Sequence, residues 1–120
     1  MAPTLEDVQV ERPAPGTAIV VFSGEHDLAT RSEVRDLLDS LVLNDDLIVA
    51  DFSSAEFVDA AILGVLADTN QHARELEKTF RLQLNTAAIV RRAFEFGGLF
   101  ETIEPATTRE DALAPVRRMT

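Results

Sequence analysis

The sequence predicts an α/β sandwich, a mixed sheet of about five strands with a mostly parallel core, packed by about four helices. Two continuous apolar runs, Ala18 to Phe22 and Leu47 to Phe52, have the length and content of strands buried on both faces. Segments of helical periodicity, each roughly ten to fifteen residues, alternate with the strand-like runs. That alternation implies parallel pairing through right-handed crossovers. At 120 residues the chain has the size of one domain, and 1–120 is expected to fold as one unit.

Each element follows from a local pattern. Val8 and Val10 alternate with polar residues before Pro13-Ala14-Pro15-Gly16, suggesting a short edge strand and a turn. After the first buried run, Ser23 to Asp27 reads as a loop. Thr30 and Glu33 have the spacing of a capping box, and Val34, Leu37, Leu38 and Leu41 recur behind it at helical spacing. Asn44-Asp45-Asp46 ends that helix, and Leu47 to Phe52 is the next strand.

Asp59 stands where an N-cap belongs. Ile62, Val65, Leu66, Ala73 and Leu76 form the apolar stripe of a second helix. Phe80, Leu82 and Leu84 alternate as a strand. Asn85 or Thr86 caps a third helix carrying Ile89, Ala93 and Phe96, which Gly97-Gly98 terminates. Glu101-Thr102-Ile103 reads as a short strand. Thr107 and Glu110 have the spacing of a second capping box, opening a last helix with Leu113 and Val116. Pro115 falls inside that helix and is expected to kink or stop it.

Composition narrows the function classes. A hydrophobic content of 46% suits a compact globular protein. Without cysteine there is neither a disulfide frame nor a thiolate metal site. No apolar run approaches the roughly 20 residues that span a bilayer, and no signal peptide is visible at the N-terminus, so a cytoplasmic protein without a membrane partner is expected. A formal net charge of −10 argues against nucleic acid as a partner. The charge is unevenly spread. Residues 1–70 hold 3 basic and 14 acidic side chains, whereas residues 71–120 hold 8 and 7. The first half offers a face that would steer a basic partner surface.

Several ordered segments resemble the STAS family of bacterial anti-sigma factor antagonists. Ser23-Gly24-Glu25-His26-Asp27-Leu28-Ala29-Thr30 is similar to that family's Gly-Glu-x-Asp-Leu-Ala-Thr entry into the first helix. Asp51-Phe52-Ser53 is similar to its Asp-Leu-Ser strand end. Asp59 with Leu63-Gly64-Val65-Leu66 matches its switch-helix frame, and Ile89 to Leu99 resembles its third helix and Gly-Leu exit. Together these cover most of residues 17–104. The resemblance implies a STAS-like sandwich and a partner: an anti-sigma factor, often a serine kinase of the histidine-kinase ATPase fold, docking on the strand-to-helix loop. In the family that loop reads Asp-Ser-Ser/Thr-Gly-Leu-Gly, and the second hydroxyl is phosphorylated. Here the corresponding residues are Asp59-Ala60-Ala61-Ile62-Leu63-Gly64. Ala61 occupies the phosphoacceptor position and cannot accept a phosphate. By the resemblance, the partner-binding residues are Glu25, Asp27, Ser53, Ser54, Asp59, Ala60, Ala61, Ile62 and Leu63.

Asp27, Asp51 and Asp59 have the residue type for Mg²⁺ or general acid–base work. Asp59 has a sufficient job as a cap, however, and the sole lysine, Lys78, is near no strand end that would complete a phosphoacceptor site. His26 and His72 lack metal-ligand spacing. Ser53 and Ser54 precede the helix start by several residues, out of register for a kinase placed on the family site. Arg91-Arg92 and Arg117-Arg118 read as surface charge, and the seven Phe as core. No nucleophile is paired with a base, so neither an enzyme nor a cofactor is expected.

Two functional classes remain. One is an anti-sigma factor antagonist that binds through residues 53–66 and cannot be switched off at position 61. The other is a divergent module outside the kinase circuit that binds a small ligand, a nucleotide or another copy of itself. Ile62 favours the second, because a branched side chain on an exposed first turn adds bulk where a partner backbone approaches.

Overall fold

The chain begins with β1 (Val8–Ala14), which turns through Gly16 into β2 (Thr17–His26). The two strands pair antiparallel from Val8↔Phe22 to Ala14↔Thr17. The turn needs glycine, since Gly16 has φ 78°. Pro13 is tolerated in β1 because the strand lies at the sheet edge, where a missing N–H costs no ladder bond. These coordinates come from a computed structural model and describe residues 7–26, 30–84, 88–103 and 105–115.

The remaining elements are α1 (Arg31–Asn44), β3 (Leu47–Val58), α2 (Ala60–Glu75), β4 (Thr79–Gln83), α3 (Ala88–Phe96), a 3₁₀ turn (Leu99–Glu101), β5 (Pro105–Ala106) and α4 (Arg109–Ala112). The sheet order is sequential, β1-β2-β3-β4-β5, with every pairing after the first parallel. This is the mixed, mostly parallel sheet that the alternation of elements predicts.

The pleat separates two cores. Val20, Phe22, Ile48, Phe52, Phe80 and Leu82 face α1, α2 and α3. Phe52 stacks on Phe22, with centroids 4.4 Å apart, and meets Phe94 of α3 edge-on at 5.1 Å. The opposite face carries Ile19, Leu47 and Val49 under Ala112 of α4. Arg109 pins α4 there, reaching Glu11 of β1 at 2.6 Å and Asp51 of β3 at 3.7 Å.

Helices α1 and α2 run side by side in one register. Arg35 Nη2 meets Asp68 Oδ2 at 3.0 Å, and one turn further His72 Nδ1 lies 3.8 Å from Asp39 Oδ1. The same offset carried one more turn aligns Leu43 with Leu76. Both are exposed, so Leu76, expected on the apolar stripe, instead sits at the C-cap outside the core.

Several sequence expectations shift. β2 runs on through Ser23 to His26, and β3 through Ser53 to Val58, where loops were expected. The two strands stay paired by slipping register after Val21 and again after Gly24, so polar residues enter the ladder through bulges. Thr30 stands at the N-cap of α1 but its side chain makes no cap bond. Its φ/ψ of −103°/1° is not the extended geometry that aims a hydroxyl at the following amides. In α3 the buried pair is Val90 and Phe94, while Ile89 is 59% exposed and Ala93 only half-buried. Both i,i+4 pairs satisfy helical periodicity, and packing onto Phe52 selects the second.

Residues 101–103 form a turn rather than a strand. The last strand is Pro105–Ala106, which accepts from the Leu84 amide through Ala106 O at 2.8 Å. The cap of α4 is Thr108, whose hydroxyl accepts from Asp111 N at 3.1 Å, one residue later than the expected box. α4 stops after four residues, before Pro115. The expected caps at Asn85 or Thr86, the loop residue Asp27, and Val116 lie outside the described residues, as does the side chain of Phe96.

Candidate partner-docking site

The candidate site is built where β3 outlives its neighbour. β4 pairs with β3 from Leu47 to Asp51 and then ends, while β2 continues beside β3 as far as His26↔Val58. A two-stranded ribbon thus projects beyond the sheet and delivers Asp59 to the start of α2. Asp59 is extended (φ −82°, ψ 156°), and its Oδ1 accepts from Ala61 N at 2.7 Å. Such a cap contributes about 1 kcal/mol and fixes the direction of the first helical turn. Backbone bonds from Ile62 N at 3.0 Å and Leu63 N at 3.3 Å to Asp59 O close that turn.

Rotation of α2 about its axis decides what the turn presents. Ala60 and Gly64 are exposed and Ala61 is half-buried, while Ile62 is 0% exposed and Leu63 is buried. Ile62 therefore heads the apolar stripe, and the expected bulk on an exposed first turn is absent. Filling that space with Ile62 contributes roughly 1.5–3 kcal/mol to folding. A partner can touch Ala60 and Ala61, but the side chain of Ile62 lies in the core. Gly64 is open: a Cβ built there would meet nothing within 4 Å. Leu63 is supported from below by Gly97, whose added Cβ would lie 3.1 Å from Leu63 Cδ1. The glycine exit of α3 thus lets the switch-like helix settle close.

Ser53 is half-buried, its amide donating to Asp51 Oδ1 at 2.8 Å, and Ser54 is exposed on the ribbon. Glu25 lies opposite Phe57 in the β2–β3 ladder. The side chain of Glu25 and the whole of Asp27 lie outside the described residues. Among the carboxylates considered for metal or acid–base work, Asp51 points to the α4 face and Asp59 is engaged in its cap, so each has a separate structural task.

Phe57, one of the phenylalanines expected in the core, is instead 41% exposed, two residues before the cap. Plain strand alternation would not have found it: Ala55 is buried, and the ladder slips one residue between Ala55 and Phe57, which turns the Phe57 ring outward. Between Ser53 and Ala67 there is no Lys or Arg, whereas Glu56 is exposed and Asp59 half-buried. The surface is an apolar ring beside small side chains, rimmed with negative charge. It carries methyl groups where the first turn would need a hydroxyl to take a phosphate.

The sheet order, the ribbon and the capped helix define a STAS domain. The STAS domain family model matches residues 9–112, and the chain belongs to that family. It is similar to an anti-sigma factor antagonist from Mycobacterium paratuberculosis, at 28% identity over 92% of this chain and 93% of that one, with a TM-score of 0.81. It shares the fold of the anti-sigma factor antagonist SpoIIAA in its unphosphorylated form, at 22% identity over 88% and 92% of the two chains, with a TM-score of 0.76. The fold also matches part of SLC26A9, at 20% identity over 82% of this chain but 19% of that one, with a TM-score of 0.68. No curated protein sequence matches this chain significantly.

Proposed function

We propose that this chain is an anti-sigma factor antagonist-like regulator that binds an anti-sigma factor through residues 53–66 and is not switched off by phosphorylation at position 61. The observation that carries this reading is the first turn of α2. It is capped by Asp59, with Ala60 and Gly64 outward and Ile62 inward. The docking surface is intact and the acceptor oxygen is missing. Burial of Ile62 removes the steric objection to a partner backbone approaching the turn, and with it the main argument for a module outside the kinase circuit.

A phosphate placed on this turn would add about −1.5 to −2 charge beside Asp59 and Glu56, which repels and must be desolvated at an interface. Alanine keeps the uncharged, binding-competent state. The partner implied is a serine kinase of the histidine-kinase ATPase fold, presenting a basic, apolar-lined surface to the acidic half of this chain.

Binding to an anti-sigma factor of the serine-kinase class, measured by calorimetry, tests the reading. Ala60→Arg and Gly64→Arg project into open solvent and should leave folding intact while weakening the complex at least about tenfold. Absence of any complex, or a complex indifferent to both substitutions, would refute the assignment.

A further inference from the structure

We propose a second binding site: the open outer edge of β4 takes an extended acidic peptide as an added strand. β5 covers β4 only at Leu82↔Pro105 and Gln83↔Ala106. Thr79, Phe80 and Arg81 pair with β3 on one side and with no strand on the other among the described residues. Leu84 N–H points toward β5 and bonds Ala106 O. By the two-residue alternation of a strand, the N–H and C=O of Phe80 face the same way. That edge lines a groove of about 910 Å³ together with Arg74 of α2 and Ala114, just past α4.

The groove is cationic in a strongly acidic protein. Arg74 is exposed and makes no ion pair among the described residues. Lys78 Nζ is 3.1 Å from Asp46 Oδ1, a largely solvated carboxylate. Arg81 Nη1 donates to Ala112 O at 2.8 Å and Ala114 O at 2.6 Å, neutral acceptors that leave its charge uncompensated. Among the described lining residues Asp111 is the acidic one. Three of the eight basic residues of 71–120, Arg74, Lys78 and Arg81, thus line the groove beside an unpaired strand edge.

An open edge selects an extended backbone, and flanking cations select its side chains. Strand addition supplies main-chain hydrogen bonds for affinity, while side chains at every second position, about 6.6 Å apart, give specificity. Acidic residues at that spacing face Arg74 and Lys78. The residues after Pro115 include Arg117 and Arg118, whose charge does not complement the groove, and β1 lies at the opposite edge of the sheet. The site is independent of the first turn of α2 and stands whether or not the antagonist reading does.

The test is fluorescence anisotropy with a labelled octapeptide of alternating Glu and Val. The folded protein should bind it, and should not bind the alternating Lys-Val peptide. Arg74→Glu with Lys78→Glu should weaken binding at least about tenfold, as should N-methylation of every second peptide amide, which leaves the protein untouched. Ala60→Arg, at the other site, should change nothing. Equal binding of the N-methylated peptide, or full displacement by inorganic tripolyphosphate, would make this a small-anion site and overturn the proposal. Self-association in sedimentation that Arg74→Glu abolishes would assign the edge to a second copy and overturn it. Failure to bind the Glu-Val peptide, with the cations merely guarding an exposed edge, would overturn it too.

Discussion

The Asp59 carboxylate accepts from the backbone amide of Ala61 at 2.7 Å, so Ala61 is held by its main chain while its side chain contributes only a methyl group. Removing the cap should expose the dependence. Asp59→Ala is expected to cost about 1 kcal/mol, and Asp59→Asn only a few tenths, as a shift in urea midpoint at constant slope. Amide exchange at Ala61 should quicken in the alanine variant alone.

Ile62 heads the buried stripe of α2 at 0% exposure. Ile62→Ala should destabilise by about 2–4 kcal/mol, and Ile62→Gly by about 1 kcal/mol more. Neither should create partner affinity that the native chain lacks. A glycine variant that is as stable as the native chain and binds better would place Ile62 outside the core.

Phe57 is the large apolar side chain exposed next to the cap. Phe57→Ser should cost about 1–2 kcal/mol, the share of a full phenylalanine burial that its half-buried ring makes. The same variant should weaken an anti-sigma complex at least about tenfold, because exposed aromatics at the centre of an interface carry a large share of its energy. Calorimetry and a denaturation curve on one sample separate the two effects.

The clasp at Arg109 joins β1, β3 and α4. Arg109 is half-exposed, so Arg109→Ala should cost no more than about 1 kcal/mol globally, and less at high salt. Its local effect should be larger: amides of residues 109–113 should exchange faster, with α1 and α2 unchanged.

Much of this fold is legible in the sequence, and the failures have physical causes. Ala18 to Phe22 and Leu47 to Phe52 announce themselves because strands buried on both faces need unbroken apolar runs. Asp59 announces the start of α2 because few residue types cap. The sequence ends β3 at Phe52 and reads 23–27 as a loop, since polar Ser-Ser and Ser-Gly stretches break the apolar run while a bulged ladder accepts them. Ile62 drew two opposed readings: its place in the apolar stripe put it inward, and the motif it departs from put it outward. Periodicity proved the better guide, because rotation of α2 is set by the whole stripe from Ile62 to Ala73. In α3, Ile89 and Val90 start equally good helical stripes, and only the tertiary contact of Phe94 with Phe52 decides between them. The exposure of Phe57 was hidden by the same bulged ladder.

Lack of the acceptor hydroxyl at position 61 is the central claim, and ATP-driven release tests it most directly. The native chain and Ala61→Ser are each bound to the anti-sigma kinase, ATP is added, and dissociation is followed alongside the phosphate content of residues 53–66. The native complex should persist with ATP and carry no phosphate, while the serine variant is phosphorylated at residue 61 and released. Release of the native chain at the rate of the serine variant, with phosphate found at Ser53 or Ser54, would contradict the account.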